Sequence, residues 1–467
     1  MKITFDNSYA ALPAQMFTPQ LPTPVSDPAI FARNDALAAT LGIDLHAPDA
    51  AQVFAGNHIP DGATPLAQAY AGHQFGHWNP QLGDGRAILL GEVLDRNGIR
   101  RDIQLKGSGP TPYSRSGDGR AWLGPVMREY LLSEAMHAMG VPTTRALAAV
   151  TTGEDVYRET RLPGAIITRV AQSHIRVGTF QFFAARRDLD ALRALTDHVI
   201  ARHYPGVDGP AALLDAVIAR YAQLVAHWMG LGFVHGVMNT DNVSIAGETI
   251  DYGPCAFIDA FSHGAVYSAI DQQGRYAYAN QPQIAAWNMA QFATALIPLM
   301  DDADKAVADF TAAVHNFAPI YGKAWLGVFA AKLGIADPGS KDMPLITDLL
   351  ALMEQDGADF TATFAALSGD QARDQFIDRD AFDLWSDRWQ QRKAPDADRI
   401  MASANPQIIP RNHRVAAAIS AGVAGDFAPF DALLAAVTQP YRVTEATREF
   451  TRPPTEDEVV TRTFCGT

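Results

Sequence analysis

Gly232-Phe233-Val234-His235-Gly236-Val237-Met238-Asn239-Thr240-Asp241-Asn242, followed beyond a hairpin-like turn at Gly247 by Ile250-Asp251-Tyr252-Gly253, is the stretch whose reading decides the fold. An apolar helical pattern runs into its first part. Asn242 and Asp251 offer an amide oxygen and a carboxylate, hard donors of the kind that hold Mg²⁺ against phosphates. An Asp-aromatic-Gly triplet alone is common by chance. Its meaning depends on what precedes it.

Upstream, Ala87–Leu94 is an apolar run, Asp95-Arg96-Asn97-Gly98 supplies turn chemistry, and Ile103-Gln104-Leu105 is apolar again. This predicts a β-hairpin ending at Lys106. A loop rich in Gly, Ser, Pro and Thr spans Gly107–Gly119. A helix should follow, with Pro125 in its first turn, Val126, Met127, Tyr130, Leu131 and Ala135 at helical spacing, and Gly140 and Pro142 as stops. Glu129 lies on that helix. A strand lysine paired with a helix glutamate is how kinase-like folds hold nucleotide phosphates.

With Lys106 and Glu129 in place, the later residues fall in the order of the kinase pattern H-R-D-x-x-x-x-N then D-F-G: His235, Asn242 and Asp251-Tyr252-Gly253. One position departs. Val237 stands where a protein kinase carries its catalytic Asp, and valine can neither accept a proton nor orient a hydroxyl. The chain is then either a pseudokinase or runs different chemistry with another base, for which Asp241 is the candidate. His235 reads as a hydrogen-bonding support rather than a base. Ahead of the hairpin, Gly83-Asp84-Gly85-Arg86 reads either as ordinary turn chemistry or as a turn whose backbone approaches an anion, with Arg86 adding charge. His73 and His77 are four apart, but Gly72 and Gly76 argue against a helix there, and no metal site is assigned to them.

The composition narrows the partners. Of 467 residues, 48% are hydrophobic and 19% charged, which excludes disordered, collagen-like and coiled-coil chains. A net charge of −14 disfavours nucleic acid and anionic lipid. The first thirty residues hold one basic residue, Lys2, and no apolar run, and no stretch is long and apolar enough to span a bilayer. Two cysteines, Cys255 and Cys465, suggest a reducing compartment. The expected location is the cytoplasm.

Strand signals cluster early and helical ones late, as in Ala211–Met229, Ala285–Met300 and Leu345–Gln355. The expected fold class is α+β: a protein-kinase-like, two-lobed fold with a mixed α/β N-lobe over about 1–185 and a mostly helical C-lobe over 186–467. Lys393–Arg411, with Pro395, Pro406 and Pro410, reads as an ordered loop or a linker.

Longer motifs carry a family resemblance: AGHQFGHWNPQLGDGRAILLGE from Ala71, LKGSGPTPYSRSGDGRA from Leu105, HGVMNTDN from His235, TIDYGP from Thr249, GRYAYANQP from Gly274, NPQIIPRN from Asn405 and the terminal Cys465-Gly466-Thr467. Over nearly its whole length the chain resembles the selenoprotein O family of kinase-like protein adenylyltransferases. The resemblance implies a flipped ATP, transfer of AMP to protein Ser, Thr or Tyr hydroxyls, and release of pyrophosphate. Carried over by motif, it implies nucleotide contacts from Gly83, Gly85, Arg86, Lys106, Asp118, Gly119 and Asp251, with Glu129 holding Lys106. It further implies polyphosphate binding by Arg169 and Arg176, Asp241 as proton acceptor, and Asn242 and Asp251 as ligands of Mg²⁺, with Mn²⁺ the alternative. Read without the family, Arg169 and Arg176 are ordinary surface or salt-bridged arginines. Family members often carry Cys or selenocysteine third from the C-terminus, matched by Cys465, and some pair it with a cysteine beyond the D-Y-G segment. Here Ser268 lies in that region and Cys255 two residues past the triplet, so that pairing is not carried over. The competing readings are transfer of UMP or of a phosphoryl group, and a nucleotide-binding pseudokinase acting as a redox-sensitive scaffold.

Overall fold

Short apolar segments of the N-terminal part pair into one antiparallel sheet. In chain order the strands are β1 (Phe17–Pro19), β2 (Ala29–Arg33), β3 (Leu66–Gln68), β4 (Gly72–Gln74), β5 (His77–Asn79), β6 (Ala87–Leu94), β7 (Arg100–Lys106), β8 (Ala121–Trp122), β9 (Arg145–Tyr157) and β10 (Arg161–Ala171). The computed structural model describes residues 1–369 and 371–464. The sheet runs β1-β3-β6-β7-β10-β9-β2, with β8 also on β10, while β4 and β5 form a separate ribbon.

Both faces of the sheet are covered. Ile166 and Val170 of β10, with Leu90, Ile103 and Leu105, join one core with Leu37 and Leu41 of α1 (Asp35–Leu41) and Val53 and Phe54 of α2 (Ala50–Phe54). Neighbouring Ile167, with Leu89 and Ala149, faces the main core with Met127 and Leu131 of α3 (Leu123–Ala138). A strand buried on both faces need not alternate, which is why β6 reads as the unbroken AILLGEVL.

The hairpin read from the sequence is β6–β7. Asp95 closes its turn by accepting from the N–H of Asn97 (2.8 Å) and Ile99 (3.0 Å), and Gly98 takes φ 75°. The register sets Lys106 opposite Ala87, at the end of the strand beside Arg86. The expected helix is α3, with Pro125 in its first turn and Gly140 (φ 81°) just past its end.

Helices dominate beyond β10: α4 (Val177–Arg186), α5 (Leu189–His203), α6 (Gly209–Gly230), α7 (Gln281–Leu296), α8 (Ala303–His315), α9 (Phe317–Lys332), α10 (Met343–Asp356), α11 (Phe360–Ala366), α12 (Arg379–Gln390), α13 (Ala397–Ala404), α14 (Asn412–Val423) and α15 (Ala428–Val437). The helical stretches read from the sequence fall in α6, in α7 with its trailing 3-10 turn, and in α10. The architecture is α+β. One expectation needs correction: Lys393–Arg411 is not irregular throughout, because α13 forms inside it and buries Ala397 and Met401. Pro395 precedes the cap residue Asp396 and Pro406 follows the helix, so the prolines bracket it. Among the described residues, no helix is long and apolar enough to cross a membrane.

After α6 the chain enters β11 (Phe233–Val234), which pairs with β12 (Ala256–Phe257). This short pairing closes the loop between them and brings His235, Asp241, Asn242 and Asp251 into one region. The middle of the loop is stitched to the start of α4 and the residues just ahead of it: Val177 N–H donates to Val243 O (2.9 Å) and Ile245 N–H to Ile175 O (3.0 Å).

Candidate active site

Lys106 is the nucleus of the site. Its Nζ lies 2.6 Å from Glu129 Oε2 and 2.9 Å from Asp251 Oδ1, so the strand–helix pair anticipated from the sequence forms and extends to the D-Y-G carboxylate. Arg169, from β10, places Nη1 2.7 Å from Asp251 Oδ1 and 3.2 Å from Glu129 Oε1. Gln104 Oε1 holds that guanidinium from the other side, accepting from Nε at 3.1 Å. Arg176, at the start of α4, donates from Nη1 to Asp251 Oδ2 (3.0 Å) and to the backbone carbonyl of Asp241 (2.7 Å), with its guanidinium over the Tyr70 ring. Three cations thus converge on one carboxylate. Burial alone would push Asp251 and Glu129 up, but these charges hold Glu129 below, and Asp251 well below, the usual carboxylate range. Asp251 sits at φ 65°, a left-handed conformation uncommon for a non-glycine residue.

Asp241 is in the opposite condition. It is buried in the 3-10 turn Thr240–Asn242, Gln74 Nε2 donates to its Oδ2 at 3.2 Å, and its Oδ1 has no partner among the described residues. Burial pushes its pKa up to about 6, against the opposing pull of the Gln74 bond and of Arg176. A carboxylate tuned towards neutrality beside one held strongly ionised is the division of labour that separates a proton acceptor from a metal or cation ligand.

Gly83, Gly85, Arg86, Lys106, Asp118, Gly119, Arg169, Arg176, Asp241, Asn242 and Asp251 all line one open cavity of about 780 Å³, and Glu129 stands behind Lys106. That volume suits a nucleotide-sized ligand. Val237 lines the same cavity. The glycines of G-D-G have a packing reason: a Cβ on Gly83 would lie 2.3 Å from the Tyr113 ring, and one on Gly85 3.0 Å from the Tyr113 carbonyl. At the rim, Asp118 is paired with Arg158 (2.8 Å), which holds it below the usual range, and Gly119 crosses the backbone of Gly109 too closely to tolerate a side chain. His235 Nε2–H donates to Ile250 O (2.9 Å) and the ring packs beside Trp228, a support as expected. His73 and His77 lie on opposite strands of the β4–β5 ribbon.

Comparison with known families and proteins matches residues 1–438 to the family described as protein adenylyltransferase SelO. The chain belongs to the SelO family. It is similar to a protein nucleotidyltransferase YdiU of Roseobacter denitrificans, 60% identical over 466 residues and 99% of both chains. A protein of the same description from Ruegeria sp. (strain TM1040) is 58% identical over 471 residues and 100% of both chains. One from Bradyrhizobium diazoefficiens is 54% identical over 485 residues and 99% of both. The chain is therefore an enzyme of nucleotidyltransferase type.

For a SelO-family enzyme, the fit of a divalent cation turns on Asn242 and Asp251. Asn242 Nδ2 donates to Val237 O at 2.9 Å, which leaves Oδ1 as an acceptor without a partner among the described residues. Asp251 brings a firmly ionised carboxylate to the same cavity. Among the described residues, no group of three or more His, Cys, Asp or Glu forms a self-sufficient metal cage. Mg²⁺ commonly takes one or two protein oxygens and completes its shell with phosphate and water, so this donor set fits it.

Among the polar members of the site that sequence reasoning missed are Asp84 and Gln74. Asp84, between the two glycines, is buried; it accepts from Gln68 N–H (3.1 Å) and Gln104 Nε2 (3.2 Å), and lies 3.8 Å from Arg176. Its signal was present in G-D-G but indistinguishable from turn chemistry. Gln74, which grips Asp241, had no local signal at all. Of the cysteines, Cys255 is buried and Cys465 lies outside the described residues; Ser268 is buried and bridges backbone to backbone with Thr463.

Proposed function

We propose that this SelO-family enzyme folds as a kinase-like, two-lobed protein, divided near residue 185. It would bind ATP in the 780 Å³ cavity with the triphosphate reversed relative to a protein kinase, and transfer AMP to Ser, Thr or Tyr hydroxyls of proteins. The observation that carries the reading is the pairing of Val237 with Asp241. The position a protein kinase needs for its base is apolar, while a carboxylate with a raised pKa faces the same cavity from the loop turn. Gly83, Gly85, Arg86, Asp118 and Gly119 would contact nucleotide. Lys106, held by Glu129, and the pair Arg169 and Arg176 would take the phosphates and hold the departing pyrophosphate by charge, which requires no proton transfer. Asp241 would accept the proton from the attacking hydroxyl.

Asn242 and Asp251 would hold Mg²⁺ or Mn²⁺. Bound there, the cation supplies charge neutralisation for the phosphates. The acidic surface and the local cationic cluster support ATP and protein hydroxyls as partners, rather than nucleic acid or membrane. The low cysteine content supports a cytoplasmic setting. Product analysis tests the reading: incubation with ATP and Mg²⁺ should release pyrophosphate in step with protein modification. Release of ADP instead would replace it with phosphoryl transfer.

A further inference from the structure

Three consecutive residues of the β4–β5 ribbon grip three consecutive residues of the loop that carries the proton acceptor. The N–H of His73 donates to Thr240 Oγ1 (2.7 Å), Gln74 Nε2 donates to Asp241 Oδ2 (3.2 Å), and the N–H of Phe75 donates to Asn239 Oδ1 (3.0 Å). Asn239 Oδ1 also accepts from the Tyr276 hydroxyl at 2.6 Å, so the ribbon is locked from a second direction. The contact is close: a Cβ on Gly72 would lie 2.5 Å from Asp241 Oδ1. Phe75 (φ 52°) and Gly76 (φ 84°) make the two-residue, left-handed turn that keeps such a ribbon tight. Phe75 is held in that conformation by the Asn239 bond and by its ring against Tyr276, 5.2 Å between centroids.

Of these grips, only that of Gln74 reaches the Asp241 carboxylate through a hydrogen bond, and both side chains line the cavity. We propose that Gln74 is a positioning residue for Asp241, its amide N–H fixing the carboxylate in the orientation that meets the acceptor hydroxyl. The inference rests on the reading of Asp241 as proton acceptor given above. A hydrogen bond to a carboxylate is directional and stronger than one between neutral groups, and small displacements of a reacting group carry large rate losses.

Gln74→Met keeps the length of the side chain and removes the donor. With α-labelled ATP, and dephosphorylated casein added as a generic hydroxyl acceptor, it should lower kcat for label entering protein on the order of ten- to hundredfold and leave KM for ATP within about twofold. In an Asp241→Asn background, the same substitution should cost less than about twofold, because Gln74 acts through the group already lost. His77→Ala, on the exposed strand of the ribbon, should leave turnover unchanged. Wild-type kcat in Gln74→Met alongside a strongly impaired Asp241→Asn overturns this inference alone. An equal loss in both backgrounds also overturns it, as the mark of a merely structural role. Full turnover in Asp241→Asn overturns the proton-acceptor reading itself. Should Gln74→Met fail to fold, Gln74→Lys, which restores a donor, must retain more kcat than Gln74→Glu, which sets two carboxylates together; the reverse order refutes the proposal.

Discussion

Replacing Asp251 by Asn removes the carboxylate on which Lys106, Arg169 and Arg176 converge at 2.9, 2.7 and 3.0 Å. Glu129 then remains as the close partner of Lys106 and Arg169, while Arg176 keeps the Asp241 carbonyl and, for charge, the more distant Asp84 carboxylate at 3.8 Å. Breaking a buried ion pair by deleting one partner costs about 3–5 kcal/mol, because the partner's charge stays buried. Asp251 keeps 18% side-chain exposure, which lets water screen part of the loss, so the lower figure of about 3 kcal/mol applies. Equilibrium denaturation in the presence of chelator should show that loss. Metal-free pyrophosphate, a polyanion that can take over all three cations, should restore more stability to Asp251→Asn than to the wild type, where it must first displace the carboxylate. Mg²⁺-supported nucleotide binding and transfer should both be abolished in the variant. A variant as stable as the wild type, or one gaining nothing extra from pyrophosphate, would refute the view that Asp251 balances this cluster.

Asp241→Ala should leave nucleotide binding largely intact and cut turnover by about 10²–10⁴-fold; comparable loss of binding, read by calorimetry, would show that the base is misassigned. Because burial pushes Asp241 up to about 6, and a base works only when ionised, wild-type kcat/KM should fall as pH drops through about 6, a limb that Asp241→Asn should lack. Arg176→Ala should depress transfer of α-label, and Val237→Asp should not create γ-phosphoryl transfer; γ-label entering protein in that variant would contradict the reversed nucleotide. Burial also pushes Glu248 up to about 7 from an ordinary 4.5. A folded-state pKa raised in this way favours folding below the unfolded value and loses that stability as pH rises from about 4.5 to 7. Glu248→Gln should remove about 3 kcal/mol of that slope, and denaturation curves at pH 5 and 8 that fall equally in both proteins would count against it.

The parts of the site that were legible in the sequence are those whose signals are local. The β6–β7 hairpin announced itself through its turn, α3 through its spacing and its stops, and the loop from His235 to Asp251 through the order of its residues. Arg169 and Arg176 were singled out only through the family resemblance, because nothing in a strand or a helix start distinguishes a buried, carboxylate-paired arginine from a surface one. What stayed hidden depends on contacts between distant segments. Gln74 meets Asp241 across |i−j| = 167, and no periodicity encodes such a meeting. The α13 helix was hidden by the prolines around it. The N-terminal α1 and α2 cover a sheet face whose need for cover shows only once the strands are paired.

The central claim is the direction in which the triphosphate lies, and one measurement reaches it directly. The enzyme is incubated with Mg²⁺ and acceptor protein in parallel reactions, one with ATP labelled at the α-phosphate and one with ATP labelled at the γ-phosphate, and the label entering protein is counted. Label from the α position alone, lost in Asp241→Ala and Asp251→Asn, is the predicted result. Label from the γ position, with ADP released, would contradict the account.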